Sequence, residues 1–203
     1  ICEQKPNKQG ERRSRWVVIR NTYPDLTNTT IRDFRSIIDP LRLGTFTMGH
    51  PPEMRMDFDL PDRTRVQAEI IFIALDKDDD VRKLRGLNIT GAWVNELKEI
   101  PKSIIDMLMG RVDRYPTQGT STWAGIFGDT NAWDSDHWLE VVAEGKRHGQ
   151  FADYDVFIQP GAVIKVDGDW DLALPASAPE EGDNQLVLRG FRPGEVVHVT
   201  LVN

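Results

Sequence analysis

The chain has 203 residues, of which 39% are hydrophobic and 28% charged, proportions that are ordinary for a globular protein with a substantial core. Its formal net charge of −7 argues against holding nucleic acid through overall charge, so such a contact would need a local basic patch or assembly into a ring. A single cysteine, Cys2, excludes an internal disulfide, and no apolar run approaches the roughly 20 residues that span a bilayer, so we expect a protein of the reducing cytosol without a membrane segment.

Apolar runs, and apolar residues that alternate with charged ones, predict six strands in the first two thirds of the chain. They cover 15–20, two edge-like strands within 45–61 that Pro51-Pro52 separates, 66–76, 87–96 and 121–131. Apolar residues at helical spacing predict the helices; these cover 29–39, capped by Thr29 or Thr30, a short stretch after the acidic turn 76–80, 100–116, and 134–149, opened by Asp134. Strands that alternate with helices indicate an α/β fold with a mainly parallel sheet.

The last part of the chain differs in composition from the rest. Residues 175–185 are rich in Pro, Ala and Glu, which is typical of a linker. Residues 186–203 have two apolar runs around a Pro-Gly turn, which predicts a β-hairpin-like tail. We therefore expect one α/β domain over residues 1–174, followed by the linker and this tail.

Three of the predicted strands end in polar residues, and these ends are the first candidates for a functional site. The strands are followed by Arg20-Asn21-Thr22, by Asn95-Glu96 and by Asp129-Thr130-Asn131. Ligands of open α/β sheets bind outside the carboxyl ends of the strands, where a carboxylate can polarise an attacking water or hold Mg²⁺ near a phosphate. Glu96 suits the water-activating role. The alternative is that Asn95-Glu96 simply ends the strand at the surface.

A second candidate site lies around the start of the helix predicted at 134–149. It consists of Asp129, Asp134, Asp136 and His137. Carboxylates with one imidazole suit a divalent cation, so this set would fit a metal-dependent nuclease or hydrolase. The alternative is that Asp134 or Ser135 caps the helix and that His137 lies in its first turn.

Three segments, in this order, resemble the large subunit of tailed-bacteriophage terminase, the ATPase that packages viral DNA. They are RRSRWVVIRNTYPDLTNTTIRDF (12–34), LRGLNITGAWVNELKEIPKSIIDMLMGRVDRYP (84–116) and GIFGDTNAWDSDHWLE (125–140). The second is similar to the family's Walker B region and the third to its coupling motif. The resemblance covers about residues 10–160. It implies a P-loop NTPase-like ATPase domain of the additional-strand class, which in the family is followed by a nuclease domain.

The resemblance implies catalytic roles for Glu96 and Arg85. Glu96 matches the family's catalytic glutamate, and Arg85 lies 11 positions before it, where several members place an arginine finger that acts on a neighbouring subunit. Asn95 matches the metal-side acid of Walker B but is an amide, and thus a weak partner of Mg²⁺ through water. Asp129 is a further, weaker candidate for a metal ligand.

Four more residues fall where the family approaches the nucleotide. Arg20 and Thr22 end the strand that follows the P-loop helix, and Thr130 and Asn131 lie in the coupling motif, which senses the γ-phosphate. The cofactors implied for the intact protein are ATP and Mg²⁺. The implied partners are double-stranded DNA, the portal protein, the small terminase subunit and copies of itself in a ring on the capsid. The implied location is the cytoplasm of a bacterial host, with the gene in a phage or prophage.

Two features depart from the family. The Walker A pattern G-x-x-x-x-G-K-[ST] is absent, and the one Gly-Lys pair, Gly145-Lys146, is followed by Arg147 at the end of a predicted helix. Nothing after residue 160 resembles the nuclease domain. We therefore expect these 203 residues to bind ATP poorly. The alternative is a non-catalytic remnant or assembly module of the same fold.

Overall fold

The computed structural model describes residues 1–75, 77–131 and 133–157, and the backbone of 163–166 and 169–172. The chain divides into two compact units, Ile1–Thr130 and Asn131–Asn203. The expected linker 175–185 and the expected hairpin-like tail 186–203 lie outside the described residues. In the described part of the chain, no helix is long and apolar enough to cross a membrane.

The first unit is built on a mixed sheet of six strands. The strands are β1 (Glu11–Arg20), β2 (Gly44–Thr47), β3 (Glu53–Asp59), β4 (Arg65–Ala74), β5 (Gly91–Asn95) and β6 (Gly125–Asp129). Their order across the sheet is β2-β3-β4-β1-β5-β6, in which β4, β1, β5 and β6 are parallel and β2 and β3 form antiparallel pairs. The carboxyl ends of four strands therefore meet at one edge. The sheet and its flanking helices confirm the predicted α/β class.

Four strands differ from their predictions: β5 and β6 each begin four residues later than predicted, at Gly91 and Gly125, and β1 and β3 differ as follows. β1 begins at Glu11 rather than at residue 15, because its basic residues pair in register with β4 and Arg12 forms an ion pair with Asp62 at 2.6 Å. β3 is not an edge strand, since it lies between β2 and β4. Its inward-facing Met54 and Met56 are buried, which explains the alternation of apolar and charged residues along it.

A helical segment after β1 covers one face of the sheet. It consists of α1 (Tyr23–Asp25), a π-helix (Leu26–Ile31), α2 (Arg32–Ile38) and a 3₁₀ turn (Asp39–Leu41). Thr22, rather than Thr29 or Thr30, caps its start: the Thr22 Oγ1 accepts a hydrogen bond of 3.2 Å from the Asp25 backbone N–H. Pro24 lies in the first turn, where its missing N–H has no helical partner to lose. The turn-like sequence after β1 is therefore a helix start.

The apolar core of the first unit lies between this helical segment and the sheet. Leu26 and Ile31 of the π-helix pack into a cluster with Phe72 of β4. Phe34 of α2 meets Phe72 edge-on, with ring centroids 5.1 Å apart. Each large apolar side chain that is fully buried contributes about 1.5–3 kcal/mol, so this packing fixes the π-helix, and Thr30 within it, against the sheet.

Further helices follow β4, β5 and β6. They are α3 (Val81–Leu84), α4 (Lys102–Met109) and α5 (Trp138–Arg147), with 3₁₀ turns at Asp78–Asp80 and Leu97–Glu99. α5 belongs to the second unit and is capped by His137, whose Nδ1 accepts a hydrogen bond of 3.1 Å from the Leu139 backbone N–H. The predicted start at Asp134 is therefore wrong, and Asp134 and Ser135 precede the helix. The second unit also contains an antiparallel hairpin, β7 (Val163–Val166) and β8 (Asp169–Leu172).

Candidate functional site

The carboxyl edge of the parallel strands brings three predicted strand ends together. β1 ends at Arg20, β5 at Asn95 and β6 at Asp129. Asn95 and Asp129 are direct neighbours in the register of β5 and β6. The Arg20 guanidinium donates a hydrogen bond of 3.4 Å to the Asn95 carbonyl oxygen. The three side chains thus share one edge of the sheet, as the ends of parallel strands should.

Hydrogen bonds link the side chains of this edge across three elements. Asn95 Nδ2 donates to Asp129 Oδ2 at 2.7 Å, and Asn95 Oδ1 accepts from Thr30 Oγ1 at 2.7 Å. The other oxygen of Asp129, Oδ1, accepts from the Trp93 indole at 2.6 Å. Thr30 is buried within the π-helix, a wide turn that is frequent at functional sites. The network therefore ties the helical segment to the ends of β5 and β6.

Glu96 directly follows β5 and has a strained backbone. Its φ and ψ are 54° and 59°, the left-handed region that costs a residue with a Cβ roughly 1–2 kcal/mol. Its Oε2 is shielded from solvent. Such conformations persist where the surrounding contacts determine them, and they are concentrated at functional positions. The turn that Glu96 opens, Leu97–Glu99, is therefore the first place to look for what holds it.

Contacts from two neighbouring strands hold the turn around Glu96. From β1, Arg20 forms an ion pair of 3.0 Å with Glu99 Oε2, in addition to its bond to the end of β5. From the end of β6, Thr130 Oγ1 accepts a hydrogen bond of 3.3 Å from the Lys98 backbone N–H. The Arg20 side chain is only 12% exposed, so water and salt screen its ion pair less than they screen a surface pair. Glu96 is thus anchored on both sides.

Three predicted site residues have other positions. Thr22 caps α1 and donates a hydrogen bond of 2.6 Å to Asp25 Oδ2. Arg85 is exposed directly after α3, and within the described residues no hydrogen bond or ion pair joins its guanidinium to the sheet edge. Asn131 is the first residue of the second unit. The predicted residues that the structure brings together are Arg20, Asn95, Glu96, Asp129 and Thr130.

The alternative metal site gains no support from the described residues. Within 1–75, 77–131 and 133–157, no group of three or more His, Cys, Asp and Glu side chains is placed to hold a metal ion. The His137 Nδ1 caps α5 instead. The nuclease or hydrolase built on these side chains remains a prediction from the sequence alone.

The residues of the sheet edge fit a Mg²⁺ ion at Asp129 better than at Asn95. In nucleotide sites Mg²⁺ is held by one or two carboxylates together with waters and phosphates. The two carboxylate oxygens of Asp129 each accept one hydrogen bond and keep a further lone pair. The Asn95 side chain carries no charge, and its oxygen already accepts from Thr30. The prediction of Asn95 as a metal partner through water is therefore the weaker of the two.

Three residues of the network were not predicted as site residues: Thr30, Trp93 and Glu99. Thr30 falls where the pattern predicts a helix cap rather than a contact with a strand. Trp93 precedes Asn95 by two positions, and the period of two along a strand places both on the same face, which was a usable signal. Glu99 follows Glu96 by one turn of 3₁₀-helix. Its partner Arg20 comes near only because β1 pairs with β5, which the local sequence does not indicate.

Comparisons with known proteins identify the fold. No family model matches the sequence, and no curated protein matches it. The large terminase of a thermophilic bacteriophage, solved in complex with ADP, matches with a TM-score of 0.51 and 12% identity, over 67% of this chain and 31% of that one. Another crystal form of the same terminase matches with a TM-score of 0.50 and 12% identity, over 66% and 31%. The likeness confirms the P-loop NTPase-like fold and, at the level of fold, the resemblance to the large terminase, of whose length this chain covers 31%.

Proposed function

We propose that this chain carries the water-activating part of a terminase-type ATPase domain, which in the intact protein uses ATP hydrolysis to drive double-stranded DNA into a capsid. The observation that supports this is the turn at Glu96. Glu96 directly follows a parallel strand and has a left-handed backbone, and the turn that it opens is anchored by Arg20 through Glu99 and by Thr130 through the Lys98 backbone N–H. The large terminase of the thermophilic bacteriophage, which has this fold, is solved with ADP.

Glu96 accepts a proton from the water that attacks the γ-phosphate. A general base acts only within about 2.6–3.2 Å of the group it deprotonates, so the position of the carboxylate decides the rate. Arg20 has a positioning role, because its guanidinium is committed to Glu99 and to the end of β5. Thr130 links the turn to the end of β6, so a change at one strand end is passed to the other.

The proposed site also needs a metal ion and the phosphate-binding loop of a Walker A motif. When bound, Mg²⁺ neutralises charge on the phosphates, and Asp129 is the residue of this chain that fits it. The sequence contains no Walker A pattern, so the test needs a protein that also includes the reading frame upstream of Ile1. Calorimetry with ADP is expected to show binding by that longer protein and weak or no binding by the 203 residues alone.

Glu96→Gln in the longer protein tests the catalytic assignment. We expect ATP turnover to fall at least about 100-fold, the scale of a lost general base, while the affinity for ADP is unchanged. Glu3→Gln, at an exposed glutamate, is the matched control and should keep full turnover. A Glu96→Gln protein that retains its turnover would refute the assignment.

A non-catalytic module of the same fold is the second candidate function. The missing Walker A pattern and the amide at residue 95 favour it. It predicts that ADP binds neither to the 203 residues nor to the longer protein. Binding by the longer protein, with turnover that depends on Glu96, excludes it.

Arg85, exposed after α3, is the proposed arginine finger offered to a neighbouring subunit of a ring. Arg85→Ala should then reduce the turnover of assembled rings and leave that of the monomer unchanged. An equal loss in the monomer would exclude a role in trans. Contacts of Thr22 and Asn131 with the nucleotide stay predictions. The proposed partners are double-stranded DNA, the portal protein and the small terminase subunit, in the cytoplasm of a bacterial host.

A further inference from the structure

We infer that Asp129, at the end of β6, holds a divalent cation and that Asn95, at the end of β5, positions Asp129. The metal-binding acid thus lies one strand away from residue 95, the position that the resemblance implies for it. The inference rests on the proposed function, because the cation is the one that accompanies the nucleotide. The edge thus keeps one negative charge at this pair.

The distance between the two side chains explains why only one of them is an acid. Asn95 and Asp129 face each other in register, and Nδ2 of the first lies 2.7 Å from Oδ2 of the second. Two carboxylates at that distance cannot both be ionised without strong repulsion. One acid and one amide is therefore the composition that this pair tolerates at neutral pH.

The neighbouring groups satisfy the acid on β6 and the amide on β5. Asp129 receives hydrogen bonds from Trp93 and Asn95, so both of its oxygens must accept. A carboxylate accepts through both oxygens, whereas an amide accepts through one. Asn95 donates on one side and accepts from the Thr30 hydroxyl on the other, which an amide does and an ionised carboxylate does not.

The same bonds prepare Asp129 for a cation. Two donors fix the orientation of the carboxylate, and each oxygen keeps a lone pair. Mg²⁺ and Mn²⁺ take oxygen ligands, and Mg²⁺ uses only one or two carboxylates when waters and phosphates supply the rest. Asp129 is half-buried, so water and salt screen its attraction for a cation less than they would at an exposed site.

The test is a Mn²⁺ titration of the ¹⁵N-labelled 203-residue chain without nucleotide, followed through the indole N–H signals in NMR spectra. Paramagnetic Mn²⁺ broadens the signals of nearby protons. Trp93 donates to Asp129 and Trp133 donates to Glu140 at 2.8 Å, so Trp133 is a matched control, an indole that is also bonded to a single carboxylate. The titrated chain carries Asp134→Asn and Asp136→Asn, which removes the other candidate metal site next to Trp133 in the sequence. We expect the Trp93 signal, assigned with Trp93→Phe, to broaden at a several-fold lower Mn²⁺ concentration than the Trp133 signal, and excess Mg²⁺ to reverse this.

Two variants locate the ligand. In Asp129→Asn, the Trp93 signal should no longer broaden at a lower Mn²⁺ concentration than the Trp133 signal. In the exchange variant Asn95→Asp/Asp129→Asn, this difference should return. In the exchange variant the amide at 129 still accepts from Trp93 and donates to the acid at 95. If Asp129→Asn does not fold, ¹³C spectra of the unchanged chain decide, since the Asp129 carboxylate signal should broaden before those of other aspartates. Equal broadening of Trp93 and Trp133, or a preference that survives Asp129→Asn, overturns the inference.

These outcomes are separate from those that test the proposed function. If Trp93 broadens first but the longer protein does not bind ADP, the cation site stands and the proposed function fails. If turnover depends on Glu96 while Trp93 and Trp133 broaden together, only the inference fails.

Discussion

The amino and carboxyl edges of the parallel sheet both carry charged side chains, but they hold them in different ways. At the amino edge, Arg65 binds both oxygens of Asp57, at 2.5 and 2.9 Å, and Arg12 pairs with Asp62. The side chains of both acids are 51% exposed. At the carboxyl edge, hydrogen bonds connect β1, β5, β6 and the π-helix, and the Arg20 side chain is 12% exposed. Hydrogen bonds are linked at the amino edge too, since Arg12 also donates to the Thr64 hydroxyl, which in turn bonds to Asp62. The edges differ in that the acids of the amino edge are half exposed, whereas the carboxyl edge joins three strands to a buried hydroxyl, that of Thr30.

This difference indicates where a change in sequence matters. Exposed ion pairs contribute about 0–1 kcal/mol and can be exchanged without moving the backbone. Interlocked and partly buried contacts fix several atoms relative to one another, which is what positioned chemistry requires. Substitutions of the linked side chains at the carboxyl edge, those of Arg20, Asn95 and Asp129, should therefore disturb folding and function together. Those at the amino edge should disturb folding less and function not at all.

Asn95→Asp should have the largest effect on stability. Two carboxylates would meet at the contact of β5 with β6, and we expect the free energy of unfolding to fall by about 2–4 kcal/mol at pH 7. Repulsion raises the pKa of one carboxyl group in the folded state, so the penalty grows as the pH rises through that pKa and shrinks near pH ~4. Urea unfolding at both pH values measures this. Asn28→Asp, at an exposed site, should change stability by less than about 0.5 kcal/mol. Equal stability of Asn95→Asp and the parent at pH 7 would contradict the single-acid arrangement.

Arg20→Met at the carboxyl edge can be compared with Arg12→Met at the amino edge. The two side chains are 12% and 15% exposed, and each binds one carboxylate and one backbone carbonyl, while Arg12 also donates to the Thr64 hydroxyl. The acid that Arg20 binds is less exposed, 36% against 51%, but Arg12 has one more hydrogen bond, so we expect both variants to lower the free energy of unfolding by about 1–2 kcal/mol. Urea unfolding measures the two changes. In the longer protein, turnover should fall with Arg20→Met alone, and a similar fall with Arg12→Met would remove the positioning role of Arg20.

Glu96→Gly should have a free energy of unfolding about 1 kcal/mol higher than Glu96→Ala, which loses the same side-chain contacts, because glycine adopts the left-handed conformation without a Cβ clash. Turnover of the longer protein should be lost at the same time. Arg63→Gly is the control at the amino edge, since Arg63 has a φ of 67° in the loop between β3 and β4. It should gain similar stability in thermal unfolding and keep full turnover. Lower stability of Glu96→Gly than of Glu96→Ala would contradict backbone strain at Glu96.

Asp62→Asn should have the smallest effect, and only in acid. Hydrogen bonds from the Thr64 hydroxyl and backbone N–H, and from Arg12, lower the pKa of Asp62 from 3.8 to about 2. A lowered pKa in the folded state adds stability above the ordinary value, and that stability is lost as the pH falls from 3.8 toward 2. Acid unfolding curves should therefore be slightly less steep in Asp62→Asn. An unchanged curve would mean that solvent already screens this pair completely.

The architecture could be predicted from the sequence better than its boundaries. Polar residues end the apolar runs of β5 and β6, so the ends at Asn95 and Asp129 were recognisable. The start of β1 at Glu11 was not, because its charged residues depend on β4 and on the loop before it. The residues from Asn21 to Asp25 are of types that favour turns and helix caps equally, so the sequence did not show that the helical segment starts there.

The members of the candidate site were predictable in part, and their connections were not. Glu96 and Arg20 follow from the rule that functional residues gather at the carboxyl ends of parallel strands. The bond from Thr30 to Asn95 spans 65 positions, and the bond from Arg20 to Asn95 spans 75. Both depend on which strand pairs with β5 and on where the helical segment packs, neither of which a local pattern encodes.

The position of β6 determines how any further element would meet this edge. In the described part of the chain, β6 is the outermost strand on its side of the sheet, and Phe127 on it and Trp123 just before it are each 50% exposed. A strand added in parallel there would lie about 4.8 Å away and finish beside Asp129. A phosphate-binding loop that followed such a strand would lie next to the Asp129 carboxylate. Because Trp93 and Asn95 orient this carboxylate, its position does not depend on that loop.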